Sequence, residues 1–142
     1  MLKKANMNPA DFVKSIYLGD RGCKKITYDI CLDEFTIQVD TISRIRSESG
    51  EWNFYVAEDI IDGLIVFKGV HKVLFDPSGY PPNDYINYLK IDNDEEGEYC
   101  FTLSIGYVSP DDPGVNYEII LKVFSKGICL RDPLTPNHDI TV

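Results

Sequence analysis

Apolar and polar residues alternate with a period of two along most of this 142-residue chain, and a helical spacing shows only near its start. Successive side chains of a strand point to opposite faces, so such alternation marks half-buried strands. The last third is clearest. Tyr99, Phe101, Leu103, Ile105 and Tyr107 alternate with Cys100, Thr102, Ser104 and Gly106, and Val115, Tyr117, Ile119, Leu121 and Val123 repeat the pattern. A loop with two prolines at 109–114 joins the runs, and Ser125, Lys126 and Gly127 then turn into Ile128–Arg131. This predicts a three-stranded antiparallel meander with Phe101, Leu103, Ile119 and Leu121 facing one core.

Earlier in the chain, Asn8, Pro9 and Asp11 form a helix start, with Asn at the N-cap, Pro at the first helical position and an acid near the positive end. Phe12, Val13, Ile16 and Tyr17 share one face, and Gly19 supplies a stop, predicting two or three turns. Two strands over 24–32 and 34–45 follow, turning at 32–34, with Phe35, Ile37 and Val39 on one face. Residues 47–50 form a polar turn before Trp52, Phe54 and Tyr55, and 58–63 a short turn or helical loop. Trp52 is expected as a core anchor. Leu64 to Phe67 predicts a buried strand extended by Val70, Val73, Leu74 and Phe75. Three prolines and a glycine at 76–84 break all periodicity, and an extended segment resumes over 85–91. The class expected is mainly β, with α+β as the alternative: an antiparallel sheet or sandwich carrying a short N-terminal helix. Residues 8–142 are expected to form a single β-rich domain behind a frayed tail at 1–7.

Composition reinforces the strands, with nine Tyr and seven Phe against only three Ala. A chain of this length buries roughly two-thirds of its unfolded surface, enough for a core without disulfides or metals. The N-terminal lysines have no apolar run behind them, and no stretch reaches the roughly 18 apolar residues of a membrane span. Cys23, Cys31, Cys100 and Cys129 are widely spaced. Without a secretory signal they are expected as reduced thiols in a cytoplasmic protein.

Charge changes the picture most. The net charge is −9, and it is uneven: eight Lys/Arg against seven Asp/Glu in residues 1–50, six against sixteen thereafter. Asp92, Asp94, Glu95, Glu96 and Glu98 cluster, with Asp111 and Asp112 a short way on. An acidic surface repels nucleic acid and speeds the encounter with basic partners. Arg44 and Arg46 lie near Trp52 and Tyr55, but a nucleic-acid face needs an excess of cations that this chain lacks. Those arginines are expected to pair with nearby acids.

Catalytic chemistry finds no foothold. Asp92 to Gly97 matches the first half of a calcium loop, but the twelfth position, which needs a bidentate Glu, is Leu103. His71 and His138 stand outside any metal spacing, and no glycine pattern cradles a phosphate. The expectation is therefore no enzyme, no catalytic or metal residue, and no cofactor.

Three stretches carry a resemblance: Asn8 to Phe12 with Ser15 to Arg21, Ile42 to Ser47, and Val73 to Tyr80. Together they resemble a family of small acidic bacterial proteins of about this length without an assigned activity. Some small, strand-rich acidic proteins of this kind are immunity proteins of polymorphic-toxin or contact-dependent inhibition systems. The resemblance implies a cytosolic binding protein that neutralises a basic toxin domain, such as a nuclease, and it transfers no residue role. The seven acids Asp92, Asp94, Glu95, Glu96, Glu98, Asp111 and Asp112 are then the candidate contact residues, with the loop at 77–84 as an alternative surface. The competing reading is a structural or regulatory β-module that self-associates through sheet edges, with runs such as 99–107 as the exposed strands.

Overall fold

Asn8 opens the first element as its sequence predicts. In the computed structural model, which describes residues 8–45, 58–95 and 97–141 (backbone alone at 93–95), its side-chain oxygen accepts the Asp11 N–H at 2.9 Å. Helix α1 (Pro9–Lys14) buries Phe12 and Val13 and ends sooner than its apolar spacing predicts. Ser15 caps it, donating its hydroxyl to Phe12 O at 2.6 Å, and Ile16 and Tyr17 leave as strand β1 (Ile16–Tyr17). The expected tail at 1–7 and the expected core anchor Trp52, with Arg46 and Tyr55, lie outside the described residues.

Among the described residues eleven further strands follow: β2 (Arg21–Asp29), β3 (Glu34–Val39), β4 (Thr41–Arg44), β5 (Ile60–Ile61), β6 (Leu64–Lys68), β7 (Lys72–Asp76), β8 (Tyr85–Glu95), β9 (Glu98–Val108), β10 (Asn116–Ser125), β11 (Gly127–Arg131) and β12 (Asp139–Ile140). Every pairing among the described residues is antiparallel. A small sheet has the order β1-β4-β5, and a large one β12-β11-β6-β3-β2-β8-β9-β10-β7. The protein is thus mainly β, its described residues forming two antiparallel sheets and one short helix. The strand expected over 34–45 is two strands in different sheets. Asp40 is the break: its N–H donates to Gly22 O at 3.1 Å, and its carboxylate accepts the Gly22 N–H at 3.1 Å.

The large sheet folds over itself. Phe35, Ile37 and Val39 of β3, Ile65 and Phe67 of β6 and Leu130 of β11 enclose one core with Phe101, Leu103 and Ile105 of β9 and Ile119, Leu121 and Val123 of β10. Phe67 and Phe101 meet across it with ring centroids 5.2 Å apart. All four residues expected to face that core from β9 and β10 are fully buried.

The third strand of the expected meander goes elsewhere. β10 lies between β9 and β7, whereas β11 pairs with β6. Only Lys126 separates β10 from β11, and a hairpin needs at least two loop residues, so the chain bends round a corner instead of reversing. β6 and β7 make the same bend beside it. Lys126 N–H donates to Lys68 O at 2.9 Å and His71 N–H to Phe124 O at 3.1 Å, tying the two bent segments through the corner. Gly69 sits at this bend with φ +66°, where a Cβ would stand 3.0 Å from the Lys126 side chain.

Candidate functional site

Antiparallel connections alternate between the two ends of a sheet, and this separates the candidate acids. Asp92, Asp94 and Glu95 lie at the end of β8 and Glu98 at the start of β9. Asp111 and Asp112 lie in the β9–β10 loop, at the far end of β9. Ten residue steps at strand rise put the two groups about 30 Å apart. They form two acidic ends and not one patch. Glu96 falls outside the described residues.

At the first end, β8 runs through Glu95 and β9 resumes at Glu98, with Gly97 at φ +86° in the tight turn between them. Residues 92–95 therefore continue a paired strand, unlike the open coil of a calcium loop. Asp92 is engaged within the sheet: it accepts the Thr102 hydroxyl and lies 3.7 Å from Lys90 Nζ. Among the described residues there is no group of three or more His, Cys, Asp or Glu placed to hold a metal ion.

The second end is chemically richer. The 77–84 loop folds back so that the Asn83 and Asp84 N–H groups donate to Gly106 O at 3.1 and 3.0 Å. Asn83 also exchanges two side-chain hydrogen bonds with the Val108 backbone, each 2.9 Å. This sets Tyr80 against Tyr107 and Tyr117, with ring centroids 5.1 and 4.7 Å away. Tyr80 and Tyr117 remain 37% and 41% exposed, and a hydrogen bond to Tyr80 raises the Tyr117 hydroxyl above the usual phenol range. Beside them a cleft of about 300 Å³ is lined by Asp84, Tyr85, Asn87, Tyr117 and Glu118 among others. Residues 77–119 contain one cation, Lys90, which belongs to Asp92. None of Asp84, Asp111, Asp112 and Glu118 is within salt-bridge distance of a cation among the described residues, so this end combines negative charge with exposed aromatic faces.

Between the ends, the outward face of β9 is buried as well. Ser104 donates to Glu118 Oε1 at 2.6 Å and accepts from Asn87 Nδ2 at 3.0 Å, while Thr102 is held by Asp92. The alternating pattern places Cys100, Thr102 and Ser104 opposite the core but does not show that neighbouring side chains cover them. Asn87 and Glu118 escaped the sequence reading, which named the loop that carries Tyr80 and Asp84 only as an alternative contact surface. No local pattern encodes the path of that loop across Gly106, which brings Tyr80 and Asp84 to this end.

The cysteines are not arranged as a nucleophilic centre. Burial pushes the Cys23 and Cys129 thiols up to about 11 and raises Cys100, the opposite of an activated thiolate. All four are free.

Residues 7–142 match a protein family described as a family of unknown function, DUF6258. The chain belongs to this family. The match spans nearly the whole sequence, as the resemblance implied, but it names no activity and says nothing of toxins or immunity. No curated protein and no solved structure matches. Among the described residues no helix is long and apolar enough to cross a membrane.

Proposed function

We propose that the chain is a cytosolic protein-binding module that presents its β9–β10 end to a basic partner. The observation that supports this reading is the set of Asp84, Asp111, Asp112 and Glu118 at the same end as Tyr80, Tyr85 and Tyr117, with no cation within salt-bridge distance of these acids among the described residues. Tyrosine and charge together suit a protein interface, where aromatic anchors supply contact area and opposite charge steers the encounter. The partner of best fit is a toxin domain with a basic active site, such as a nuclease, whose need to attract phosphate makes it complementary to an acidic plug. The module is then an immunity protein and performs no catalysis itself.

Co-expression with the C-terminal domain of a toxin encoded beside this chain tests the reading. Rescue of growth and a complex on gel filtration are expected; unrelieved killing with no complex overturns it. Two variants distinguish the ends. Asp111→Lys with Asp112→Lys should weaken the complex at least tenfold, while Asp94→Lys with Glu98→Lys should change it much less. The Asp111/Asp112 pair should not shift thermal unfolding appreciably, because both charges are exposed and exposed charges contribute little to stability.

A further inference from the structure

The run 99–107 is not a sheet edge, since β9 is paired on both sides by β8 and β10. The edges of the large sheet are β12 and β7. β12 is two residues long and is held by ion pairs from Asp139 to Lys68 and Arg131. β7 is different. Its five residues, Lys72-Val73-Leu74-Phe75-Asp76, pair with β10 on one side, and among the described residues nothing pairs with the other. Leu74 is 42% exposed on the outward face, flanked by exposed Lys72 and Asp76. On the inward face Val73 and Phe75 are only half-buried, because a cleft of about 340 Å³ opens between them and Tyr28 and Phe35 of the β2–β3 hairpin.

This edge is complementary to itself. A two-fold antiparallel pairing centred on Leu74 sets each Lys72 opposite the other copy's Asp76 and each Val73 opposite Phe75. The two Leu74 side chains then meet on the axis. Opposite charges and apolar residues are the favourable cross-strand partners, and a two-fold contact repeats each of them. The second Phe75 also comes to lie beside the open cleft. We propose that β7 is the docking strand for a second copy of this chain, which joins two large sheets edge to edge. This is independent of the acidic end, which lies off the strand.

Sedimentation equilibrium of the intact chain from about 1 µM to 1 mM tests it, with thermal unfolding as the control for folding. The parent should dimerise. Lys72→Asp sets four acids in the contact and Asp76→Lys four cations, and each should weaken the dimer about tenfold or more, given the size of cross-strand pair energies acting twice. The double variant Lys72→Asp/Asp76→Lys exchanges the charges and should restore the parent affinity. Amide exchange in β7 should slow as protein concentration rises. A parent that stays monomeric at 1 mM overturns the proposal and leaves Lys72 as a charge that keeps the edge soluble. A dimer indifferent to the single reversals, or not restored by the double one, also overturns it.

Discussion

Leu121 is fully buried opposite Leu103 at the centre of the β9–β10 pair. Leu121→Ala should lower stability by about 2–5 kcal/mol, measured by chemical denaturation, because the folded sheet cannot collapse onto the space left behind. A loss below about 0.5 kcal/mol, the scale of surface substitutions, would show that this face is not the core. The thiols give a second residue-scale test. Cys31 is exposed in the β2–β3 turn, whereas Cys100 and Cys129 are buried and Cys23 is half-buried. The thiolate is the reactive species, and burial holds Cys23 and Cys129 protonated up to about pH 11. At pH 8 a disulfide reagent should therefore titrate one thiol quickly and three slowly, and all four quickly in guanidinium. Two or more fast thiols in the native protein would contradict the burial.

At the scale of elements, β12 depends on charge for its attachment. Asp139 accepts from Lys68 Nζ at 2.7 Å and from Arg131 Nε at 2.9 Å, and Arg131 also grips Glu34 on β3. The Lys68 hydrogen bond, foremost, holds the Asp139 carboxyl below its usual 3.8. A lowered folded-state value means stability that is present above the unfolded pKa and is lost as pH falls through the folded one. Asp139→Asn should thus destabilise the protein by up to about 1 kcal/mol at pH 7. The gap to the parent should close below pH 4 in paired pH-dependent melts, and a gap that persists at pH 2 would deny the linkage. The elements differ in how far the sequence revealed them. β9 and β10 were legible because each carries one strictly apolar face, and the cap at Asn8 because its chemistry is local. The division at Asp40 was hidden, since a polar residue there continues the alternation of β3 unbroken. The route of β11 was hidden too: Ser125-Lys126-Gly127 has turn-like composition, and only the partner strand β6 decides that the chain bends there. The separation of the acids into two ends follows from hairpin geometry, and the tyrosines beside Asp111 are assembled by a loop far away in sequence. Neither leaves a local periodic trace.

For the whole molecule, the two proposed contacts should respond to salt with opposite sign. A basic partner is drawn to the acidic end by opposite charge, and screening over about 8 Å at physiological ionic strength weakens that attraction. Two copies with a net charge of −9 each repel one another, so screening should strengthen a β7-mediated dimer. Affinity for each measured between 50 and 500 mM salt should move in opposite directions, and parallel movement would mean that one interface is misplaced. The corner made by β6–β7 and β10–β11 has a further consequence. Each of these two segments supplies a strand to both halves of the folded sheet, so no single peptide bond divides the chain into two pieces that each own a complete half. Either fragment would lack strands that its half requires, and would expose an apolar face with nothing to close it. The protein is therefore indivisible as an engineering part: it can be fused, displayed or tagged only as one unit, and split-reporter schemes cut within 64–131 would have to restore the corner before they restored anything else.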